Sequence, residues 1–235
     1  MSPVHAVASE PVGLATHGLD LDRVGHRVPL RDALRRRYTG QFPIDPFGGD
    51  PLVQDFAVPV AELAVSVDVE NVENIPSSGP AVLIANRGFG VAEPAVLSVG
   101  VRRDRSRRLR VVGMPELPGV FRLGTKLGMI KGHAGDLRAV LRAGHLAAVP
   151  LGPTGLRCRA GALPPTELLT AVVGYRVIPV AVIPEGPLGL PARSWRVIVG
   201  EHVELDDVFG AGDPLGAAEL AELARQAVQE LIDGR

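Results

Sequence analysis

The side chains able to do chemistry are sparse in this sequence, and the best placed of them is Arg87. It follows the apolar run Ala81-Val82-Leu83-Ile84-Ala85 and Asn86, and it leads into Gly88-Phe89-Gly90 ahead of Ala92, Glu93 and Pro94. A glycine-bearing turn between a strand and a helix presents backbone N–H groups and the positive end of the helix dipole, a setting that favours an anion. A guanidinium there adds a planar fork that holds a phosphate or carboxylate through two hydrogen bonds. The competing role for Arg87 is an ion pair with Glu93 or another acid that fills the space of a ligand. The proton acceptors worth weighing are Glu93, His133 and His145. For His133 an exposed loop position, and for His145 the start of a strand, are the simpler assignments.

Other chemistries are excluded by what is missing. Gly88-Phe89-Gly90 sits between strand and helix as a dinucleotide fingerprint does, but the third small position is Glu93, whose carboxylate repels a pyrophosphate. The next strand ends Val111-Val112-Gly113, without the acid that would hold a ribose. There is no Gly-x-Ser-x-Gly elbow, no Walker loop and no zinc-ligand spacing, so no metal or cofactor is expected. Cys158 is the only cysteine, which rules out a disulfide within one chain and suits a reducing compartment. Nothing around it marks a base that would activate a thiolate.

Composition narrows the class further. Lys and Arg number 25 against 26 Asp and Glu, for a formal net charge of −1, where a nucleic-acid binder carries a basic excess. One dense basic stretch, Arg102 to Arg110, reads as a solvated loop after a helix or as a docking patch for anionic head groups. No secretory signal is visible, and no window approaches the ~20 apolar residues of a spanning helix. The expected location is the cytoplasm, with contact to the inner face of a membrane through its surface or through a partner.

The elements that must position Arg87 follow from local patterns. Residues 1–40 lack a sustained apolar period and read as an N-terminal extension, with a short basic helix near Leu30 to Tyr38; residues 41–235 read as one domain. Ala64 to Glu70 alternates as a strand with one wet face. The run from Ala81 is a strand covered on both faces, with Pro94 at the start of the following helix and Ala95 to Val101 as its body. Leu109 to Gly113, His145 to Pro150, Arg176 to Ile183 and Ser194 to Glu204 read as further strands. Met114 to Leu127 and Glu167 to Gly174 read as helical, and Asp136 and Asp213 as N-caps of two more helices. Leu220, Leu223, Ala227, Val228 and Leu231 mark the apolar face of the last. Strands alternating with helices predict an α/β fold, a mixed and mainly parallel sheet with helices on its faces.

Four blocks taken in order resemble the lysophospholipid acyltransferases, the family of 1-acylglycerol-3-phosphate acyltransferase. They are Val72-Glu73-Asn74-Ile75-Pro76 with Gly79 to Asn86; Leu127-Gly128-Met129-Ile130; Leu141 to Pro150; and Val177-Ile178-Pro179-Val180-Ala181. The resemblance implies a glycerolipid-acyltransferase-like sheet of about six or seven strands. It implies a His after the Asn and an Asp five residues later, acting as general base and orienter while an alcohol attacks a thioester. This sequence has Arg87 and Ala92 there. Arginine stays protonated and accepts no proton, and alanine orients nothing. The family's Glu in Phe-Pro-Glu-Gly falls on Leu151, between Pro150 and Gly152, and its phosphate-binding arginine falls on Ala134, leaving Lys131 and His133 nearest.

The expectation is therefore a catalytically silent acyltransferase homologue that binds a lipid or acyl group, or regulates a protein partner. The alternative is an active acyl-CoA-dependent glycerolipid acyltransferase with a rebuilt site. Candidate ligand-binding residues are Arg87, Gly88, Gly90, Lys131, Leu151 and Gly152; Glu93, His133 and His145 are the possible substitute bases. An acyl-CoA or acyl carrier protein thioester would be substrate rather than resident cofactor, with a lysophospholipid as acceptor. No nucleic-acid partner is expected.

Overall fold

A computed structural model of the chain describes residues 45–88, 92–113, 120–154, 158–186, 193–204 and 213–234, with Arg35, Tyr38 and Thr39. Most of the proposed N-terminal extension and its basic helix lies outside these residues. The elements run α1 (Pro51–Ala64), β1 (Ser66–Glu70), a 3-10 turn (Val72–Asn74), β2 (Ala81–Arg87), α2 (Ala92–Arg105), β3 (Leu109–Val112), α3 (Val120–Lys126) and β4 (Met129–Ile130). Then follow α4 (Ala134–Arg142), β5 (Leu146–Pro153), α5 (Thr166–Thr170), β6 (Arg176–Glu185), β7 (Ser194–Val199) and α6 (Pro214–Asp233). The seven strands form one sheet in the order β1-β7-β6-β2-β5-β3-β4. Every adjacent pair is parallel except β6 and β7, so the sheet is mixed and mainly parallel, as expected.

Strand alternation sorts the core into two layers. Val82 and Ile84 of β2, with Ala147, Val149 and Leu151 of β5, point to the side covered by α4, α5 and α6. Ala81, Leu83 and Ala85, with Leu146 and Ala148, point to the side covered by Val96, Leu97, Val99 and Val101 of α2. β2 lies at the centre with helices over both faces, which accounts for its unbroken apolar run. At ~25 cal/mol per Å2 of apolar surface removed from water, burial of these layers is the main favourable term in folding.

Several local expectations need correction. The helix after β2 starts at Ala92, two residues before Pro94, and continues to Arg105. Asp136 is not a cap: α4 begins at Ala134, His133 occupies the cap position, and Asp136 lies in the first turn, where its charge favours the dipole. Asp213 does cap α6, accepting from Leu215 N–H at 2.9 Å, but Leu223 is exposed and the buried stripe is Leu220, Ala221, Ala224, Val228 and Ile232. Helix α1 has no counterpart in the sequence reading.

The basic stretch is not a solvated loop: Arg103 is exposed, but much of the rest turns inward. It spans the last turn of α2 and the start of β3, and Arg107 and Arg110 are both 1% exposed. Arg107 donates to Pro76 O at 3.0 Å and Gly79 O at 2.8 Å, and Arg105 donates to Ile75 O at 2.6 Å. These guanidiniums satisfy the carbonyls of the turn that feeds β2. Arg103 donates to Val67 O at 2.6 Å and fixes β1. Arg110 makes a buried ion pair with Asp45, whose other carboxylate oxygen accepts from Phe47 N–H and Gly49 N–H, both at 2.9 Å. Burial, then the charge of Arg108, lowers the Arg102 guanidinium to about 10.

Candidate functional site

Arg87, the first candidate marked by the sequence, lies where β2 ends. The ladder between β2 and β6 closes with Ala85 opposite Val180, and the register with β5 shifts between Ala85 and Arg87. Asn86 bridges the gap. Its side chain is 3% exposed; Oδ1 accepts from Val182 N–H at 2.6 Å, and Nδ2 donates to Val182 O at 2.8 Å. The side-chain amide thus acts as one more peptide rung where the strands separate, and Nδ2 also lies 3.8 Å from Cys158 Sγ. On the other flank, Arg87 O accepts from Thr154 N–H at 3.0 Å and from Thr154 Oγ1 at 3.2 Å. The backbone that presents Arg87 is therefore held on both sides.

Arg87 is half-buried and makes further interactions beyond those of its carbonyl. The expected ion pair with Glu93 is not among those of the described residues. Gly88 is buried directly after the strand, and Gly90 lies outside the described residues. Ala92, the first residue of α2, is exposed, whereas Glu93 is 8% exposed. Glu93 Oε2 is buried without a hydrogen-bond partner among the described residues. Glu93 shares the sheet-facing stripe of α2 with Val96, Leu97 and Gly100, at the spacing of one helix face.

Leu151 is not a ligand contact. It is 1% exposed and packed in the layer with Val82, Ile84 and Val149, because strand alternation turns it toward α4 to α6. Gly152 is closed off as well: its N–H donates to Ala162 O at 2.7 Å. The returning segment comes so near that a Cβ on Gly161 would stand 2.2 Å from Gly152 O, and Gly161 itself has φ +83°. Only glycine meets both demands. Leu151 and Gly152 are thus apolar and closed off.

Lys131 and His133 follow β4 at the same end of the sheet, but β4 is three strands from β2, about 14 Å away at ordinary strand spacing. Lys131 is exposed and engaged. His133 is exposed, with Nδ1 3.7 Å from Asp136 Oδ2, a surface contact of little energy. His145 lies at the wrong end altogether. It precedes Leu146, the partner of Ala81, so six residues of β2, about 20 Å of strand, separate its level from Arg87. Its ring is buried edge-on against Phe47, with centroids 5.5 Å apart. His145 is therefore no substitute base for this site.

A concavity of about 520 Å3 lies toward that opposite end, with Pro179, Ile198, Leu231, Glu70, Glu201 and Glu230 among its lining. None of the sequence-predicted site residues lines it. Among the described residues no helix is long and apolar enough to cross a membrane. Sequence reasoning singled out Arg87 and Glu93 but missed Asn86 as the side chain that shapes the strand end; a lone amide closing an apolar strand was the available signal.

No family model matches the chain. It is 27% identical to an uncharacterised protein of Mycobacterium leprae over 263 residues, covering 88% of this chain and 71% of the other. It is also 27% identical to an uncharacterised protein of Mycobacterium tuberculosis over 255 residues, covering 85% of this chain and 71% of that one. Among solved structures it is similar to the 1-acyl-sn-glycerophosphate (LPA) acyltransferase of Thermotoga maritima, at 19% identity and a TM-score of 0.49, covering 76% of this chain and 78% of the other. At these values the likeness assigns neither substrate nor residue roles.

Proposed function

We propose that this chain is a catalytically silent, acyltransferase-like protein whose site at the end of β2 takes an acyl-bearing lipid or thioester. The reading starts from the four ordered blocks of the sequence and a mixed sheet that places the first of them on its central strand. One observation carries the silence. The strand end holds Arg87 where a general base is needed, Ala92 where its orienter is needed, and the buried Leu151 in place of a carboxylate. Loss of a positioned general base costs ~100- to 10,000-fold in rate.

The rival reading, an active enzyme with a rebuilt site, has one observation in its favour: Glu93 brings a carboxylate one residue beyond Ala92. The two separate on a designed rescue. Arg87→His with Ala92→Asp should raise transfer from acyl-CoA to monoacylglycerol or lysophosphatidate at least ~100-fold over the native chain, by restoring the base and its orienter. A folded double variant that still binds acyl-CoA yet gains no turnover contradicts the reading. High native turnover abolished by Glu93→Gln selects the rival.

A further inference from the structure

Glu93 carries more than the silence of the site. It is 8% exposed on the second residue of a 14-residue helix, on the stripe that faces the sheet. Among the described residues its Oε2 is the only buried side-chain oxygen left without a hydrogen-bond partner; the others on that footing are arginine nitrogens. A buried acceptor left unpaired destabilises the fold, and strain of this kind persists where a bound molecule relieves it. Glu93 lies just beyond the carboxyl end of the central strand, the place where open α/β sheets take their ligands.

We propose that Glu93 is the head-group anchor of this site, and that the ligand is a neutral acyl amphiphile whose hydroxyl donates to Oε2. This rests on the acyl-binding reading above and narrows it. The choice of a neutral head follows from the charges present. Arg87 ends β2 and Glu93 lies in the first turn of α2, so one fixed cation and one carboxyl flank this strand end. A phosphate head pairs with Arg87 but stands against Glu93, and an ammonium head does the reverse. An alcohol satisfies the orphaned oxygen and brings no third charge.

The test uses the full chain and two probes that differ only in the phosphate, 1-monooleoylglycerol and 1-oleoyl-lysophosphatidate, titrated calorimetrically below their micellar concentrations. The native chain should bind monooleoylglycerol at least tenfold more tightly. Glu93→Leu should lose at least tenfold of that affinity while raising the melting temperature of the ligand-free chain by about 2–4 °C, because the unpaired carboxylate is gone. Glu93→Gln, which keeps shape and a weaker acceptor, should fall between. The inference is overturned if lysophosphatidate binds more tightly, if Glu93→Leu leaves affinity unchanged, or if Glu93→Leu lowers the melting temperature. If neither amphiphile binds the native chain, the acyl-binding reading falls and this inference with it; binding indifferent to Glu93 sinks the inference alone.

Discussion

Replacing Asn86 separates the architectural part of the site from its chemistry. The side chain is 3% exposed and makes both of its bonds to backbone through one residue, taking Val182 N–H at 2.6 Å and giving to Val182 O at 2.8 Å. Asn86→Ala removes both and strands two buried backbone groups, each worth about 1–3 kcal/mol when left unpaired, so the loss should be near 3 kcal/mol. Asn86→Asp is the sharper change. Its carboxylate keeps the bond from Val182 N–H but turns a second oxygen toward Val182 O. Burial and that carbonyl both disfavour the ionised form, so the folded-state pKa of the new carboxyl rises above its unfolded value of about 3.9. The sign follows. Below pH ~3.9 the group is protonated in both states and can donate to Val182 O, so the deficit is small. As pH climbs toward the folded-state pKa, the unfolded chain ionises first and the deficit grows by about 1.4 kcal/mol per pH unit. Urea unfolding of native and variant chains at pH 7 and pH 4, compared at each pH, reads this directly. The reasoning fails if Asn86→Ala lies within ~0.5 kcal/mol of native, or if the Asn86→Asp deficit is no smaller at pH 4.

Three further outcomes follow from the same geometry. Asp45→Ala should cost about 3–5 kcal/mol by stranding the buried Arg110 guanidinium and two backbone N–H groups, and Asp45→Ala with Arg110→Met should be less harmful than Asp45→Ala alone, as denaturant melts will show. Gly161→Ala should destabilise far more than Gly174→Ala: both have positive φ, but only at Gly161 does the new Cβ collide with backbone, a contrast thermal unfolding resolves. Hydrogen bonds from Arg225 and then Gln226 lower the Glu222 carboxyl to about 2, so its contribution is present above pH ~4.5 and fades as pH falls toward 2; because the group is exposed, Glu222→Gln should cost under ~0.5 kcal/mol near neutral pH in urea melts.

The sheet was legible because its strands are short, apolar and bounded by turns. Ala81 to Ala85 and Arg176 to Ile183 announce strands covered on both faces, and both are central. Asp213-Pro214 announced α6, yet the same pair at Asp50-Pro51 opens α1, with Val53 N–H directed at Asp50 Oδ1 at 3.4 Å, and was passed over. Pro59 inside that segment reads locally as a helix breaker and obscures the signal. The two-residue strand β4 is too short to show alternation at all. Arg107 and Arg110 misled for a different reason. A run of arginines looks solvated, and only the fold brings the carbonyls of Pro76 and Gly79, and the carboxylate of Asp45, to meet them. At the strand end, the resemblance singled out Arg87, Ala92 and Leu151, but the remoteness of His145 depends on strand register, which no local pattern encodes.

On the proposed reading, the end of β2 lacks a general base held by an orienting group, because Arg87 stays protonated and Ala92 orients nothing. Single-turnover acyl transfer from radiolabelled acyl-CoA to lysophosphatidate or monoacylglycerol, with the chain in excess, measures this most directly. Product should form no faster than in the enzyme-free control at pH 7 and pH 9. Transfer that depends on the chain, saturates with acyl-CoA and disappears on heating contradicts the reading.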